Sequence, residues 1–519
     1  GFLVFFVASR VVTHQYERKK RDEITLGSVL HWRMSGSSVV EAQTSKGKFA
    51  QMLEAMQDES TERPKVHSLL ALTAAIRAAA HDDRILCLAV DMSSAPGLQD
   101  GSTLGLAQAE ELREAILAFK EAKTSSFGTQ NKYCIAYADT FDSQPLYYLA
   151  SAFDRVFVQP TGSVPLTGLG TSSLFFKRLL DKAGVEVHAE AREAYKSMVS
   201  PFTRRDLSKE QKKDLMDLLD GMNSLMLKGI AQGRVNADST KEGTEETEGK
   251  KEGAILPSRD VKAMTEMFRE HTLTGPFTAI RALDAGLVDG LLYPRAVRAS
   301  IKGQYKFVSM ERYMRVRGNE IGTKSKQAGE KPPVLGLVHL LGTIKRGQGQ
   351  FGANAVKKAL VDASADPDIK AIVLRIDSPG GDVLASDTVA EAIDYCQTER
   401  GIPVIASFGN VSASGGYYIS THCHKIFAQP LTITGSIGVA ALRPYLSEKF
   451  LDKTGLDVEK NFTGSRMQSP FEALTGEALK RFKGDTDSMY EIFLDRVVQG
   501  RRLPLEKVRE LAGGRVWSG

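Results

Sequence analysis

Apolar and polar positions along the chain repeat in the pattern of strands that are each followed by an amphipathic helix. Two apolar runs, at 85–90 and 371–376, fit buried strands, and a helix-like segment follows each of them. A second strand comes next in both places, at 133–137 and 403–407, and a third strand ends in Gln-Pro. Strands that alternate with helices form parallel sheets. The pattern therefore predicts an α/β fold built from two similar halves.

A sequence repeat supports this division into halves. LLDKAGVEV at 179–187 and FLDKTGLDV at 450–458 match at five of nine positions. Two further pairs of segments, YYLASAFDRVFVQP with YYISTHCHKIFAQP and two copies of Ser-Pro-Phe, keep the offset at 269 to 271 residues. A constant offset over such a length indicates a tandem duplication.

The repeat sets the predicted domains. Residues 61–318 form an N-terminal repeat with a charged insertion at 238–253, and residues 319–519 form a C-terminal repeat that stops where its counterpart continues. The polar stretch 318–333 is predicted to link the two repeats. Residues 1–60 are predicted to be a linker preceded by a truncated membrane anchor or a targeting remnant. Their first segment, GFLVFFVASRVV, is apolar and precedes a basic run, but a membrane span needs about 20 residues.

Charge and cysteine content argue against several functions. The chain has 68 basic and 63 acidic residues, so its net charge of +5 offers no concentrated basic face for nucleic acid. The four cysteines are too far apart for a disulfide framework or a CxxC metal site. His-Cys-His at 422–424 occupies adjacent positions, whose side chains rarely converge on one ion. We therefore expect no cofactor, no metal and no nucleic-acid partner.

Two glycine-bearing turns carry the candidate chemistry. DSPGG at 377–381 directly follows an apolar strand, and its glycines let backbone N–H groups face a ligand. ASGGY at 413–417 lies between a strand and a helix, which places the Ser414 hydroxyl near a helix N-terminus. Each turn alone also fits a simple strand end or a helix cap. Together they predict a serine nucleophile beside an oxyanion pocket formed by the N–H groups of Gly380, Gly381 and Gly415.

A serine nucleophile needs a base, and histidine is disfavoured. No histidine follows His424 in the chain. His422 and His424 lie eight and ten residues beyond Ser414, or roughly 12 to 15 Å along a helix at about 1.5 Å per residue. A triad whose histidine follows its serine is therefore disfavoured, which leaves an earlier histidine or a lysine.

Alignment of the two repeats supplies a lysine. It sets Lys196 opposite Ser465 and Ser414 opposite Gln144, so that each repeat lacks the residue that the other keeps. A single lysine is usually a solvated surface residue, and only the complementary losses favour a catalytic role. Lys196 is therefore the candidate base. The site would form where the repeats meet, either within one chain or between neighbouring chains.

These motifs, together with TGSIG at 434–438, YKS at 195–197 and GRVW at 514–517, resemble signal peptide peptidase A in its long form, also called protease IV. The resemblance covers residues from about 66 to 519. It implies a tandem Clp protease/crotonase-like fold, Ser414 as nucleophile, Lys196 as general base and Ser436 as the residue that orients the lysine amine. Asp377 departs from the pattern, because many members have asparagine there.

The same resemblance implies a function and partners. It predicts a membrane-associated serine endopeptidase that degrades cleaved signal peptides and other hydrophobic peptide segments. The expected assembly is a homo-oligomeric ring such as a tetramer, on a plastid thylakoid or bacterial cytoplasmic membrane. Two alternatives remain: a crotonase-like acyl-CoA enzyme, which would need no serine nucleophile, and a catalytically inactive peptide-binding scaffold.

Overall fold

The computed structural model describes residues 24–34, 37–41, 65–93, 104–124, 130–239, 259–301, 305–328, 333–349 and 351–519. The predicted anchor segment, residues 240–253 of the predicted insertion and residues 329–332 of the predicted linker lie outside these ranges. The earlier part of that linker is helical as far as Ala328. Within the described ranges, no helix combines the length and the hydropathy needed to cross a membrane.

The chain divides into two compact units. The first comprises Gly1–Gly168 and Ser224–Pro332, and the second comprises Leu169–Asn223 and Pro333–Gly519. The units differ from the predicted repeats, because Leu169–Asn223 precedes residue 319 but belongs to the second unit. The repeat boundaries stay a prediction, since a grouping in space does not test a duplication in sequence.

The first unit is built on a six-stranded parallel sheet. Its second, third and fourth strands are buried along most of their length, as their uninterrupted apolar sequences require. Short two-stranded pairs join Ser37–Val40 to Lys65–Ser68, Lys123–Thr124 to Gln130–Asn131, and Ser163–Val164 to Phe277–Thr278. Across the sheet the order is Gly290–Leu291, Arg155–Val158, Tyr133–Ala138, Ile85–Asp91, Ser28–Arg33 and Phe307–Ser309.

Helices connect these strands. Ser68 and Ser143 cap two of them, since each side chain accepts a hydrogen bond from a backbone N–H of the first turn. The long helix Lys209–Ser239 begins in the second unit and ends in the first. The other helices of the first unit are Leu69–Ala80, Leu106–Glu121, Gln144–Ala150, Val261–His271, Ala279–Asp284, Pro294–Ser300 and Met310–Ala328.

The second unit contains a six-stranded sheet that is parallel except at one edge, with five strands in one continuous order. The order is Val334–Leu341, Ile369–Ser378, Val404–Ala413, Ile433–Gly435 and Val516–Ser518, and the last strand is antiparallel. Lys425–Phe427 adds to the third strand, and Val185–Ala191 pairs separately with Ala440–Leu446 in an antiparallel ribbon. The helical segments are Lys177–Ala183, Ser197–Val199, Ser200–Thr203, Ala353–Ala365, Val383–Thr398, Gly415–Ser420, Glu448–Thr454, Gly476–Arg501 and Leu505–Leu511.

The predicted α/β class is confirmed, with strands slightly longer than the apolar runs suggested. The run at 371–376 lies within Ile369–Ser378, and the run at 403–407 overlaps Val404–Ala413 from its second residue onwards. The added residues are partly polar, because they approach the turns that follow the strands. The longer third strand ends directly before Ser414, which matters for the site described next.

Candidate active site

Ser414 occupies the sharp turn between a strand and a helix. The strand Val404–Ala413 ends just before it, and the helix Gly415–Ser420 begins just after it. Its backbone has φ 53° and ψ −116°, a conformation with positive φ that serine rarely adopts. Its side chain makes no helix-capping hydrogen bond. The hydroxyl is therefore not serving as a helix cap, and a strained turn that exposes a serine hydroxyl is typical of a nucleophile.

The structure brings Lys196 and Ser436 to this serine. Lys196 Nζ lies 3.0 Å from Ser414 Oγ, 3.0 Å from Ser436 Oγ and 3.0 Å from Ser436 O. The amine is thus fixed by two further oxygens while it faces the candidate nucleophile. All three residues belong to the second compact unit of one chain. The pairing within a chain, which the sequence left open, is the arrangement that the structure contains.

Burial changes the acidity of this lysine. Lys196 is 6% exposed, and burial lowers its pKa to about 8. No carboxylate of the described ranges forms an ion pair with it that would raise its pKa again. At pH 7 a group with this pKa is neutral in about 10% of molecules, against less than about 0.1% for an ordinary lysine. The neutral amine can accept a proton.

Glycines shape the slot that holds the lysine. A Cβ at Gly514 would lie 2.6 Å from the backbone nitrogen of Lys196, and Gly514 has φ +80°. A Cβ at Gly438 would lie 3.3 Å from Lys196 Cδ. The backbone N–H of Tyr195 donates to the carbonyl of Gly513 at 3.1 Å. The site therefore depends on residues 513–516, which we call the lysine-holding segment.

Arg515, in this segment, links the neighbours of both candidate catalytic groups. Its guanidinium donates to Tyr195 Oη at 2.8 Å and lies 4.4 Å from the centre of that ring. Its carbonyl accepts a hydrogen bond of 2.6 Å from the N–H of Ser436. The sequence alone assigns no role to this arginine, although it belongs to the motif GRVW at 514–517. The adjacent glycine pair at 513–514 was the signal that a backbone approaches closely there.

The three glycines predicted to form an oxyanion pocket differ in their environments. The N–H groups of Gly381 and Gly415 have no acceptor among the described residues, whereas the N–H of Gly380 donates to Ser378 Oγ at 3.1 Å. Gly380 has φ 100°, and a Cβ there would lie 2.7 Å from Gly415 N. Gly380 is thus required by the tight turn, and Gly381 and Gly415 offer free donors beside Ser414.

Asp377, which begins the first glycine-bearing turn, bonds to the neighbouring strand. Its Oδ1 accepts a hydrogen bond from Val411 N at 3.0 Å, and its Oδ2 lies 3.4 Å from Asn410 Nδ2. These contacts span the point where the register between the two strands shifts. The carboxylate therefore stabilises the backbone that leads to Ser414.

A cavity of about 770 Å³ opens beside the serine. Its lining includes the serine and lysine, the carboxylates of Asp214 and Asp387, and no histidine. A histidine base would have to enter from elsewhere, which supports the preference for lysine. The remaining lining includes the large apolar side chains of Met198, Leu215, Val383, Leu384, Met489, Ile492 and Phe493.

The residues aligned with the candidate pair in the opposite repeats have other contacts. Gln144 Nε2 donates to Gly168 O at 2.6 Å, and its Oε1 accepts from Thr167 N. Ser465 is exposed, and its hydroxyl accepts a hydrogen bond from Met467 N. His422 Nδ1 lies 2.8 Å from Asp394 Oδ1, and the described part of the chain contains no cluster of three side chains suited to a metal.

We expect Lys196→Met to raise the free energy of unfolding at pH 7. The folded-state pKa of about 8 is lower than the ordinary value of 10.5, so the unfolded chain binds more protons between these values. The stability of the wild type should therefore rise with pH across this window. Methionine avoids burying a charge, an advantage of up to about 3 kcal/mol at pH 7 that should shrink by pH 10.5. Denaturant unfolding of the wild type and the variant at pH 7 and at pH 10.5 measures this difference in the free energy of unfolding.

The exposed Lys480 provides the matched control for this prediction. Lys480→Met removes a lysine that is not buried, so its free energy of unfolding should match that of the wild type at both pH values. If Lys196→Met were less stable than the wild type at pH 7, burial would not be what perturbs the lysine.

Known proteins resemble the chain over its full length. Residues 126–255 and 397–519 match Peptidase family S49, one match in each predicted repeat. Protease 4 of Haemophilus influenzae is 28% identical over 530 residues, which covers all of this chain and 79% of that protein. Protease 4 of Salmonella typhi is 28% identical over 523 residues, which covers all of this chain and 78% of that protein.

A plant protein is similar over nearly the same length. The chloroplastic serine protease SPPA of Arabidopsis thaliana is 26% identical over 504 residues, covering 94% of this chain and 66% of that protein. Two S49 matches in tandem agree with the predicted duplication. The matched family is a peptidase family and both bacterial relatives are proteases, which supports the same class for this chain. The chain is therefore similar over its full length to long-form signal peptide peptidase A proteins, and two of its regions match Peptidase family S49.

Proposed function

We propose that the protein is a serine endopeptidase in which Ser414 is the nucleophile and Lys196 is the general base. The observation that carries this proposal is the 3.0 Å contact between Lys196 Nζ and Ser414 Oγ, with the lysine pKa lowered to about 8 by burial. A general base works best when its pKa is close to the working pH. Ser436 orients the amine through its hydroxyl and carbonyl oxygens.

In the first half of the reaction, Ser414 Oγ attacks the carbonyl carbon of the scissile peptide bond. Its proton passes to the neutral amine of Lys196, and the carbonyl oxygen becomes an oxyanion. When the tetrahedral intermediate collapses, the carbon–nitrogen bond breaks. The ammonium of Lys196 then gives its proton to the leaving amine, which departs as a free N-terminus.

In the second half, water hydrolyses the acyl-enzyme. Lys196, neutral again, takes a proton from the water as its oxygen attacks the ester carbon. Collapse of this intermediate breaks the bond to Ser414 Oγ, which recovers a proton from the lysine. The second product leaves as a carboxylic acid, which loses its proton to solvent at neutral pH, and the enzyme returns to its starting state.

The oxyanion is held by backbone donors in this mechanism. The N–H groups of Gly381 and Gly415 are the candidates with no acceptor of their own among the described residues. Gly380 contributes the left-handed turn that brings them together. Preorganised donors of this kind lower the barrier because they need no reorientation as charge develops.

Apolar peptide segments are the proposed substrates. The cavity beside Ser414 is lined largely by aliphatic and aromatic side chains, and Leu384 and Ile492 remain 58% and 56% exposed. Apolar side chains of a bound peptide would cover this surface and remove it from water. Cleaved signal peptides, which contain an apolar stretch, fit this chemistry.

We further propose that the protein works at a membrane surface, in a plastid thylakoid or at a bacterial cytoplasmic membrane. Two features support this location: the apolar segment at 1–12, which lies outside the described residues, and a substrate class that arises in membranes. A peptidase attached to the membrane meets such segments without their passing through water.

A homo-oligomer is proposed from the duplicated elements of the second unit. Strand Val185–Ala191, which follows the first LDK motif, pairs with Ala440–Leu446, which precedes the second. The repeat alignment matches these two strands with residues 456–462 and 169–175, respectively. Neither of these segments forms a strand, and both are largely exposed. Pairing of these two segments between copies would be head-to-tail, and head-to-tail contacts close into rings when the rotation allows.

The pH dependence of peptide hydrolysis tests the proposed base. For the full chain acting on a fluorogenic peptide with an apolar residue before the scissile bond, we expect kcat/KM to rise about tenfold per pH unit below pH 8 and to level off above it. Below pH 8 the amine is mostly protonated and cannot accept the serine proton.

Lys480→Met, which removes an exposed lysine, should reproduce the wild-type profile. A rate that stays constant from pH 6 to pH 9, or one that falls with rising pH, would rule out a neutral Lys196 as the base.

A further inference from the structure

A second cavity, of about 270 Å³, lies within the first compact unit. It sits at the carboxyl ends of three neighbouring parallel strands. His31 is paired with Ala89, and Ala89 with Ile135; one step further along, Arg33 is paired with Asp91, and Asp91 with Tyr137. In open α/β sheets, ligands bind at the carboxyl ends of the strands. None of the residues in the proposed peptidase mechanism lines this cavity.

The floor of the cavity is apolar. Four of its lining residues are at most 7% exposed and belong to one hydrophobic cluster: Ala89, Ile135, Val297 and Ile301. Phe307 forms a wall and is 40% exposed, with its ring edge-on to His31 at 6.0 Å between centroids. An apolar group could therefore be accommodated against the sheet.

The rim of the cavity is positively charged. Arg33, Arg295 and Arg298 line it together with a single carboxylate, Asp91, which gives the lining a net charge of plus two. Arg33 Nε lies 3.9 Å from Asp91 Oδ2. In the described ranges, Arg295 and Arg298 have no carboxylate at ion-pair distance, and both are exposed. Two arginines without counter-charges beside an apolar floor are suited to a ligand that has both an anion and an apolar group.

The positive charge at the rim contributes to a lowered pKa of the His31 imidazole. Its pKa is lowered chiefly by burial and next by Arg298, with Arg33 acting in the same direction. Asp91 and Glu311 act in the opposite direction but do not outweigh these effects. The imidazole is therefore neutral at pH 7. An anion bound near Arg298 would offset the positive charge that the histidine experiences.

We propose that this cavity binds a carboxylate attached to a compact apolar group, with the apolar group against the floor and the carboxylate at Arg295 and Arg298. Two sources share this chemistry: the C-terminus of a peptide that ends in an apolar residue, and a short acyl chain. Cleavage of apolar peptides releases the first of these. That choice of source rests on the proposed function, whereas the binding itself does not.

Titration of the full chain with N-acetyl-leucyl-leucine and with octanoate tests the binding. The imidazole signals of His31, assigned by their loss in His31→Gln, are followed by NMR. We expect a saturable shift and a rise in the pKa of His31, because a nearby carboxylate stabilises the imidazolium. The acid that binds more tightly identifies the source. The corresponding amides should give no shift, and Ser414→Ala should bind as the wild type does.

Two variants localise the effect. Arg298→Gln should weaken binding about tenfold, since it removes one hydrogen bond between charged groups. Arg315→Gln, which removes an exposed arginine outside the cavity, should leave the affinity unchanged. The proposal is overturned if neither acid shifts His31, if the amides bind as well as the acids, or if Arg298→Gln binds like the wild type. Because no step involves Ser414, these outcomes are independent of whether the peptidase proposal holds.

Discussion

Ser414→Ala should reduce the hydrolysis of an apolar fluorogenic peptide by about 10⁴-fold or more, to the rate left by binding and oxyanion stabilisation alone. The physical reason is that the variant has no oxygen to attack the scissile carbonyl, while Lys196 and the backbone donors remain in place. Alanine fits the space, since the Ser414 side chain makes no structural capping bond. Initial rates at pH 8, with near-ultraviolet circular dichroism to verify folding, provide the measurement.

The duplication offers an internal control for this prediction. Ser465 occupies the position that the repeat alignment sets opposite Lys196, and it is exposed. Ser465→Ala should hydrolyse the peptide at the wild-type rate. If a folded Ser414→Ala protein retained full activity, another residue would be the nucleophile and the dyad assignment would be wrong.

Gly514→Ala is the second change with a large expected effect. The new methyl group would lie 2.6 Å from the backbone nitrogen of Lys196, closer than non-bonded atoms approach. The lysine segment must move or residues 513–516 must detach, and either displaces the amine from Ser414. We expect the free energy of unfolding to fall by about 3 kcal/mol and kcat/KM to fall at least about 10²-fold.

Gly476→Ala is the control for Gly514→Ala, because it measures the cost of a positive φ without a steric clash. Gly476 also has a positive φ, +53°, but a Cβ there would meet no atom within 4 Å. Gly476→Ala should therefore lose only about 1 kcal/mol of stability and keep its activity. Equal behaviour of the two variants in unfolding and in hydrolysis would contradict a role for close packing at Gly514.

The regular elements of the fold could be predicted because their apolar periodicity is local. The run at 85–90 is strand Ile85–Asp91 in the structure, and the turn that holds Ser414 lies where the glycine-rich motif indicated. The candidate lysine could also be selected from the sequence, since alignment of the two repeats shows that Lys196 has no lysine counterpart in the other repeat. In both cases the information lay in a short window or in a comparison of two windows.

Long-range contacts could not be predicted in this way. That Leu169–Asn223 belongs to the same compact unit as Ser414 is a property of packing and leaves no periodic signal. The same holds for Arg515, whose contacts with Tyr195 and Ser436 join segments distant in sequence. The hydrogen bond from Gly380 N to Ser378 Oγ depends on turn geometry, so the glycine pair alone could not distinguish a free donor from an occupied one.

The lysine-holding segment also bears on when the protein can act during its own synthesis. Tyr195, the neighbour of Lys196, and Arg515 are 320 residues apart in the chain. After the ribosome has added the lysine, it must therefore add about that many residues before the lysine-holding segment exists. At about 5 to 20 residues per second, the interval is roughly 15 to 60 s. A nascent chain thus carries its serine and its lysine before it can hold them together. Under the proposed mechanism, the order of synthesis alone would delay peptidase activity until Val516–Ser518, the antiparallel edge strand of the second unit's sheet, has been made.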